Sequence, residues 1–129
     1  MNPPLQHVSV GDVIRIRCGL YDHVALVSDR LIGGEVALIS ITAQPGHIFE
    51  QRFSELVGNR SWKNEGYPGA LPPSVVLHRA RQMAHRPYSL TSWNCEHFVR
   101  WAHGLPAESP QLQWGVVLMA GLGLMVALA

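Results

Sequence analysis

At 129 residues, 47% of them hydrophobic and 15% charged, the chain can bury one real core, and its composition argues against disorder over most of its length. A formal net charge of +1, a single lysine (Lys63) and the lack of any Lys/Arg run exclude the electrostatic footprint of a nucleic-acid binder. Two cysteines, Cys18 and Cys95, without CxxC or Cys/His spacing, exclude a disulfide framework and a structural zinc site and point to reduced thiols.

The first seven residues carry neither a basic flank nor an apolar run, so they do not read as a signal peptide. Gly11-Asp12 opens a strand in which Ile14, Ile16 and Cys18 alternate with Arg15 and Arg17, which turns the Cys18 thiol inward as a structural group. Gly19 to Asp22 turns the chain into a second strand over 23–28. Gly33-Gly34 leads to a third over 35–42, broken by Gln44-Pro45-Gly46. A short strand over 47–53 and a helical turn over 53–57 follow. Residues 58–73 are polar, aromatic and turn-like, and read as a surface excursion bordering a site. Ser74 is the predicted cap of a helix of about a dozen residues, with Val76, Leu77, Ala80, Met83 and Ala84 on one face. A second helix starts near residues 92–94, with Cys95, Phe98, Val99 and Ala102 at i, i+3, i+4 and i+7, and stops at Gly104 and Pro106.

The expected organisation is a domain over 1–108, a linker over 109–113 and a hydrophobic tail over 114–129. The tail has no charged residue, and as a helix it spans roughly 24 Å against a hydrocarbon core of about 30 Å. It reads as a membrane anchor, with a buried core helix as the alternative.

Cys95 falls in the opening turn of its helix, where free backbone N–H groups and the helix dipole favour the thiolate, the reactive form. Asn94 supplies a polar cap beside it, and Glu96 and His97 place ionisable groups in the same turn. A small core residue is the competing reading. Upstream, Tyr21-Asp22-His23-Val24-Ala25 sets a histidine at the head of an apolar strand, where an imidazole can serve a thiol as general base.

A third group should orient that ring. A two-residue turn at Gly33-Gly34 gives a pairing sum of 67, and a shorter loop gives 65. Either odd register puts Ser40 and Thr42 on the face of His23, and Ser40 is favoured over Thr42 and Gln44. His47 is a reserve for that role, and His97 reads as a supporting group. His7, His78, His85 and His103 read as solvated. No set of residues has metal-ligand spacing, and no cofactor is implied.

Asn94-Cys95-Glu96-His97-Phe98-Val99, with Tyr88-Ser89-Leu90 ahead of it, resembles the signature of the lecithin–retinol acyltransferase-like family. Gly11 to Ile14 and Tyr21 to Ala25 resemble that family's N-terminal block, with His23 at the catalytic histidine, and the likeness spans residues 9–104. The resemblance implies an α+β, circularly permuted papain-like fold: a small antiparallel sheet packed on helices, here followed by a C-terminal hydrophobic helix. It also implies acyl transfer from glycerophospholipids, or their hydrolysis, through a cysteine thioester. The family's animal acyltransferases carry a second histidine on the next strand, whereas residues 35–40 of this chain contain none.

The expected function is therefore a metal-free thiol acyltransferase or phospholipase A. Its partner would be membrane phospholipid, with an acyl acceptor the sequence does not identify. The protein would be membrane-associated through its C-terminal anchor, with a cytoplasmic catalytic domain. A papain-like peptidase or amidase and a non-catalytic membrane adaptor are the alternatives.

Overall fold

Alternating apolar residues build the first strand, β1 (Val13–Arg17), in which Val13, Ile14 and Ile16 are buried and Arg17 is exposed. The structure, a computed structural model, describes residues 7–106 and 109–111. After β1 come β2 (Asp22–Ile32), β3 (Glu35–Ile41), β4 (Ile48–Arg52), α1 (Phe53–Val57), β5 (Trp62–Gly66), α2 (Pro73–Gln82) and α3 (Cys95–Ala102). The strands form one antiparallel sheet in the order β4-β3-β2-β1-β5, so the class is α+β as expected.

The β2–β3 hairpin combines both anticipated registers. Gly33 and Gly34, at φ +58° and +81°, form the turn, a conformation that strongly favours glycine. Next to it Ile32 pairs with Glu35 and Leu31 with Val36. An irregularity between Val27 and Leu31 then shifts the pairing, so that Val27 faces Leu38 and Leu26 faces Ile39. The sums pass from 67 to 65, an even step that keeps every side chain on its face.

Each face of the sheet carries its own core. Val13, Val24, Leu26, Ile39 and Ile41 pack with α2 and α3 through Val76, Leu77, Ala80, Phe98, Val99 and Ala102. Ile14, Ile16, Ala25, Val27 and Leu38 pack on the other side with Phe53 and Val57 of α1, with Cys18 and Trp62 against them. The inward reading of Cys18 agrees with this placement.

Several expectations need correction. The second strand is longer than 23–28, because pairing with β1 and β3 extends it at both ends. The excursion over 58–73 contains β5, which pairs with β1. Its sequence Trp-Lys-Asn-Glu-Gly lacks an apolar stripe because it is an edge strand with one wet face. The helix expected from Ser74 begins at Pro73 and has no side-chain cap. Pro73 stands at the first helical position, where its fixed φ and missing N–H fit the start of a helix. Met83 ends that helix and Ala84 lies beyond it. His103 is not solvated but buried: its Nε2 lies 2.7 Å from the carbonyl of Gly11, and its ring meets Tyr67 edge-on at 4.5 Å. His7, His78 and His85 are exposed as expected. The tail over 114–129 lies outside the described residues, and among those described no helix is long and apolar enough to cross a membrane.

Candidate active site

Cys95 is the first residue of α3, and the local sequence fixes it there. Asn94 has extended backbone, and its Oδ1 accepts from the amides of Glu96 (3.0 Å) and His97 (3.1 Å). The Asn94 amide in turn donates to His97 Nδ1 at 3.0 Å, completing a reciprocal capping box. Accepting at Nδ1 requires a neutral His97 ring, and burial lowers its proton affinity in the same sense. Asn94 Nδ2 donates to the carbonyl of Leu90 at 2.9 Å, and Ser89 and Trp93 exchange main-chain hydrogen bonds of 2.9 and 2.8 Å. The approach to Cys95 is thus closed into a rigid loop. Of the first three amides of α3, the cap takes those of Glu96 and His97 and leaves that of Cys95 outside it.

The Cys95 thiol is half-buried, packed against the core on the α2–α3 side. Burial pushes its pKa up; the backbone amides of Val24 and Glu96 and the charge of Arg15 oppose this, while the Glu96 carboxylate adds to it. The resting group is therefore a thiol at neutral pH. The Val24 amide, at the residue after His23 and beyond the last β2–β3 pair, Leu26 with Ile39, is one of the groups that lower the thiol's pKa.

His23 stands across from Ile16 at the head of β2 and is only 6% exposed. Burial, and then the positive charge of Arg60, lower its pKa from 6.5 to about 4. The ring is therefore neutral at pH 7, with a lone pair free to take a proton. Its Nε2 has no hydrogen-bond partner among the described residues. Alternation along β2 gives His23 the parity of Ala25 and Val27, whereas Val24 and Leu26 face α3.

The structure places Ser40, two residues beyond Leu38, on the sheet face shared by Ala25 and Val27. Ser40 is fully buried, and its hydroxyl makes no hydrogen bond among the described residues, to His23 or to any other group. The Thr42 hydroxyl donates to the carbonyl of Gln44 within its own turn. His47 is exposed, with Nδ1 3.0 Å from the carbonyl of Ile48. Tyr21 is 58% exposed; burial and interactions with Cys18 and Cys95 raise the pKa of its phenol, against the charge of Arg60. Tyr88 lies close enough to feel both Cys95 and Tyr21.

Sequence reasoning missed the charged groups that act on Cys95 and on His23. Arg15 places Nη1 3.6 Å from Asp22 and 3.8 Å from Glu96. Its alternation with Ile14 and Ile16 marked it only as an outward residue. Arg60 carried no signal, since its neighbours read as turn. Glu96 is buried and accepts from Ser109 Oγ and from the Gln111 amide at 3.2 Å, contacts made by the segment read as linker. A cavity of about 110 Å³ is lined by Val24 and Glu96, while neither Cys95 nor His23 borders it. Val13, Val99 and Pro68 give it apolar walls, and Arg15, Glu65 and Arg100 line its polar side. Among the described residues no group of three or more His, Cys, Asp or Glu is placed to hold a metal ion.

A family model described as lecithin retinol acyltransferase matches residues 6–104. No curated protein matches the chain.

Proposed function

We propose that this chain, which belongs to the lecithin retinol acyltransferase family, is a thiol-dependent acyltransferase or phospholipase A acting on acyl esters of glycerophospholipids. One observation carries the reading. A half-buried thiol opens a capped helix and is acted on by the amide of Val24, the residue after a neutral, buried histidine whose Nε2 has no hydrogen-bond partner among the described residues.

The resting state is thiol plus imidazole rather than a preformed ion pair, because burial raises the one pKa and lowers the other. His23 accepts the Cys95 proton as the sulfur attacks the ester carbonyl, acting as a general base within the step. The Cys95 amide, outside the Asn94 cap, donates to the developing oxyanion. The tetrahedral intermediate collapses, the C–O bond breaks, and His23 returns the proton to the departing lysophospholipid oxygen. Water, or an amine or alcohol acceptor, then attacks the thioester and restores the thiol. In this reading Ser40 orients the ring only after a side-chain movement that brings its hydroxyl to it. The apolar run over 114–129 holds the enzyme at the membrane, with a permuted papain-like topology and a cytoplasmic site.

The test is incubation of the full chain with defined phospholipids, reading released fatty acid, lysolipid and the mass of the protein. The expected result is an acyl adduct on Cys95, slowed in His23→Gln and absent in Cys95→Ala. Peptide cleavage with no lipid turnover would replace this reading with a peptidase. A chain that forms no adduct and turns over neither substrate would be an adaptor.

A further inference from the structure

Residues 109–111 make side-chain and main-chain contacts far beyond what a connecting segment needs. The carboxamide of Gln111 grips Asp22 at both main-chain groups: Oε1 accepts from the Asp22 amide at 2.8 Å, and Nε2 donates to the Asp22 carbonyl at 2.8 Å. Asp22 precedes His23. Pairing of β2 with β3 ends at Leu26, so no strand serves Asp22 on that side, and one carboxamide takes the place of a missing strand residue. The same segment grips the residue after Cys95. Ser109 Oγ and the Gln111 amide both donate to Glu96 Oε1, at a site where Ser109 and Glu96 are each 4% exposed. Arg15 closes the ring, with Nη1 between Asp22 (3.6 Å) and Glu96 (3.8 Å).

We propose that Ser109-Pro110-Gln111 is a positioning strap that holds the start of β2 and the start of α3 at the separation acyl transfer requires. This rests on reading His23 and Cys95 as the reacting pair. The strap acts through Asp22 and Glu96, which flank the sulfur and the ring in sequence, and the Val24 amide lowers the thiol's pKa only while those two elements stay in register. Strand ends without lateral pairing open readily, and small displacements of a reacting pair cost large factors in rate.

The test uses the full chain in a Cys18→Ala background, so that Cys95 is the sole thiol. Iodoacetamide alkylation is followed against pH, and kcat and KM are measured on a short-chain phospholipid. Glu96, Arg15, Tyr21 and Tyr88 also act on the thiol and stay unchanged throughout. In Gln111→Met, which keeps length but loses both hydrogen bonds, the alkylation midpoint moves to higher pH because the Val24 amide leaves the sulfur. kcat falls about tenfold while KM stays within twofold. Ser109→Ala moves both in the same direction by less. Should Gln111→Met fail to fold by circular dichroism, Gln111→Asn, which adds no charge and stops one methylene short of Asp22, shows the same changes. A midpoint that is unchanged or lowered, with kcat within twofold in the folded variant, overturns the strap. Alkylation needs no substrate, so it judges the strap even if phospholipid proves not to be the acyl donor. A parent chain that forms no adduct would fail the functional reading alone.

Discussion

Acid should destabilise this protein through His23 in a way that one substitution removes. The ring is 6% exposed, its Nε2 has no hydrogen-bond partner among the described residues, it feels the charge of Arg60, and its pKa falls from 6.5 to about 4. Between those values the unfolded chain binds a proton at this residue and the folded chain does not, so stability falls as pH is lowered through the window. Above pH 6.5 both states are neutral and there is no penalty. Below pH 4 both are protonated and the penalty is complete, at about 3 kcal/mol. At pH 4.5 linkage gives a loss of about 2.5 kcal/mol. Urea unfolding of the parent and of His23→Gln, each at pH 7 and pH 4.5, measures it. The parent should lose about 2.5 kcal/mol more than the variant on acidification. Burial also lowers the pKa values of His97 and His103, but both residues are present in each protein and cancel in the difference. Equal losses in the two proteins would refute a buried neutral imidazole at this position, and with it the supply of a free base at neutral pH.

Three further outcomes test the same architecture. Cys95→Ala should abolish acyl-adduct formation, read by mass spectrometry, while urea unfolding shows a change of no more than about 1 kcal/mol for a small, half-buried side chain. Asn94→Ala removes the acceptor for two helix amides and the donor to Leu90, so it should cost about 1–2 kcal/mol in chemical denaturation and also slow adduct formation. Gly69→Ala would place a Cβ 2.7 Å from the main-chain carbonyl of His103. It should lower stability by about 1–3 kcal/mol, and an unchanged melting temperature would show that this packing is wrong.

Much of the site could be read from local pattern. Asn94 before an apolar 3.6-residue stripe marks a capped helix start, and the structure gives Cys95 that position. Alternation fixed the faces of β1 and the inward thiol of Cys18. Paired glycines fixed the β2–β3 turn and the parity of Ser40, although the register shift between Val27 and Leu31 has no local signature. Other features were hidden. β5 reads as turn because an edge strand needs an apolar residue at only a few positions. His103 reads as solvated because its partners, Gly11 and Tyr67, are distant in the chain.

The sequence alone determined the elements whose hydrogen bonds and apolar stripes are satisfied by near neighbours: the β2–β3 hairpin, the capped α3 and the thiol at its head. Tertiary structure alone decided the environments of His23 and of the start of β2. The depressed pKa of His23 comes from enclosure and from Arg60, thirty-seven positions away, and the grip of Gln111 on Asp22 spans 89 positions. Desolvation and the pairing of an unserved strand end depend on what the folded chain brings alongside, and no window of sequence carries that information.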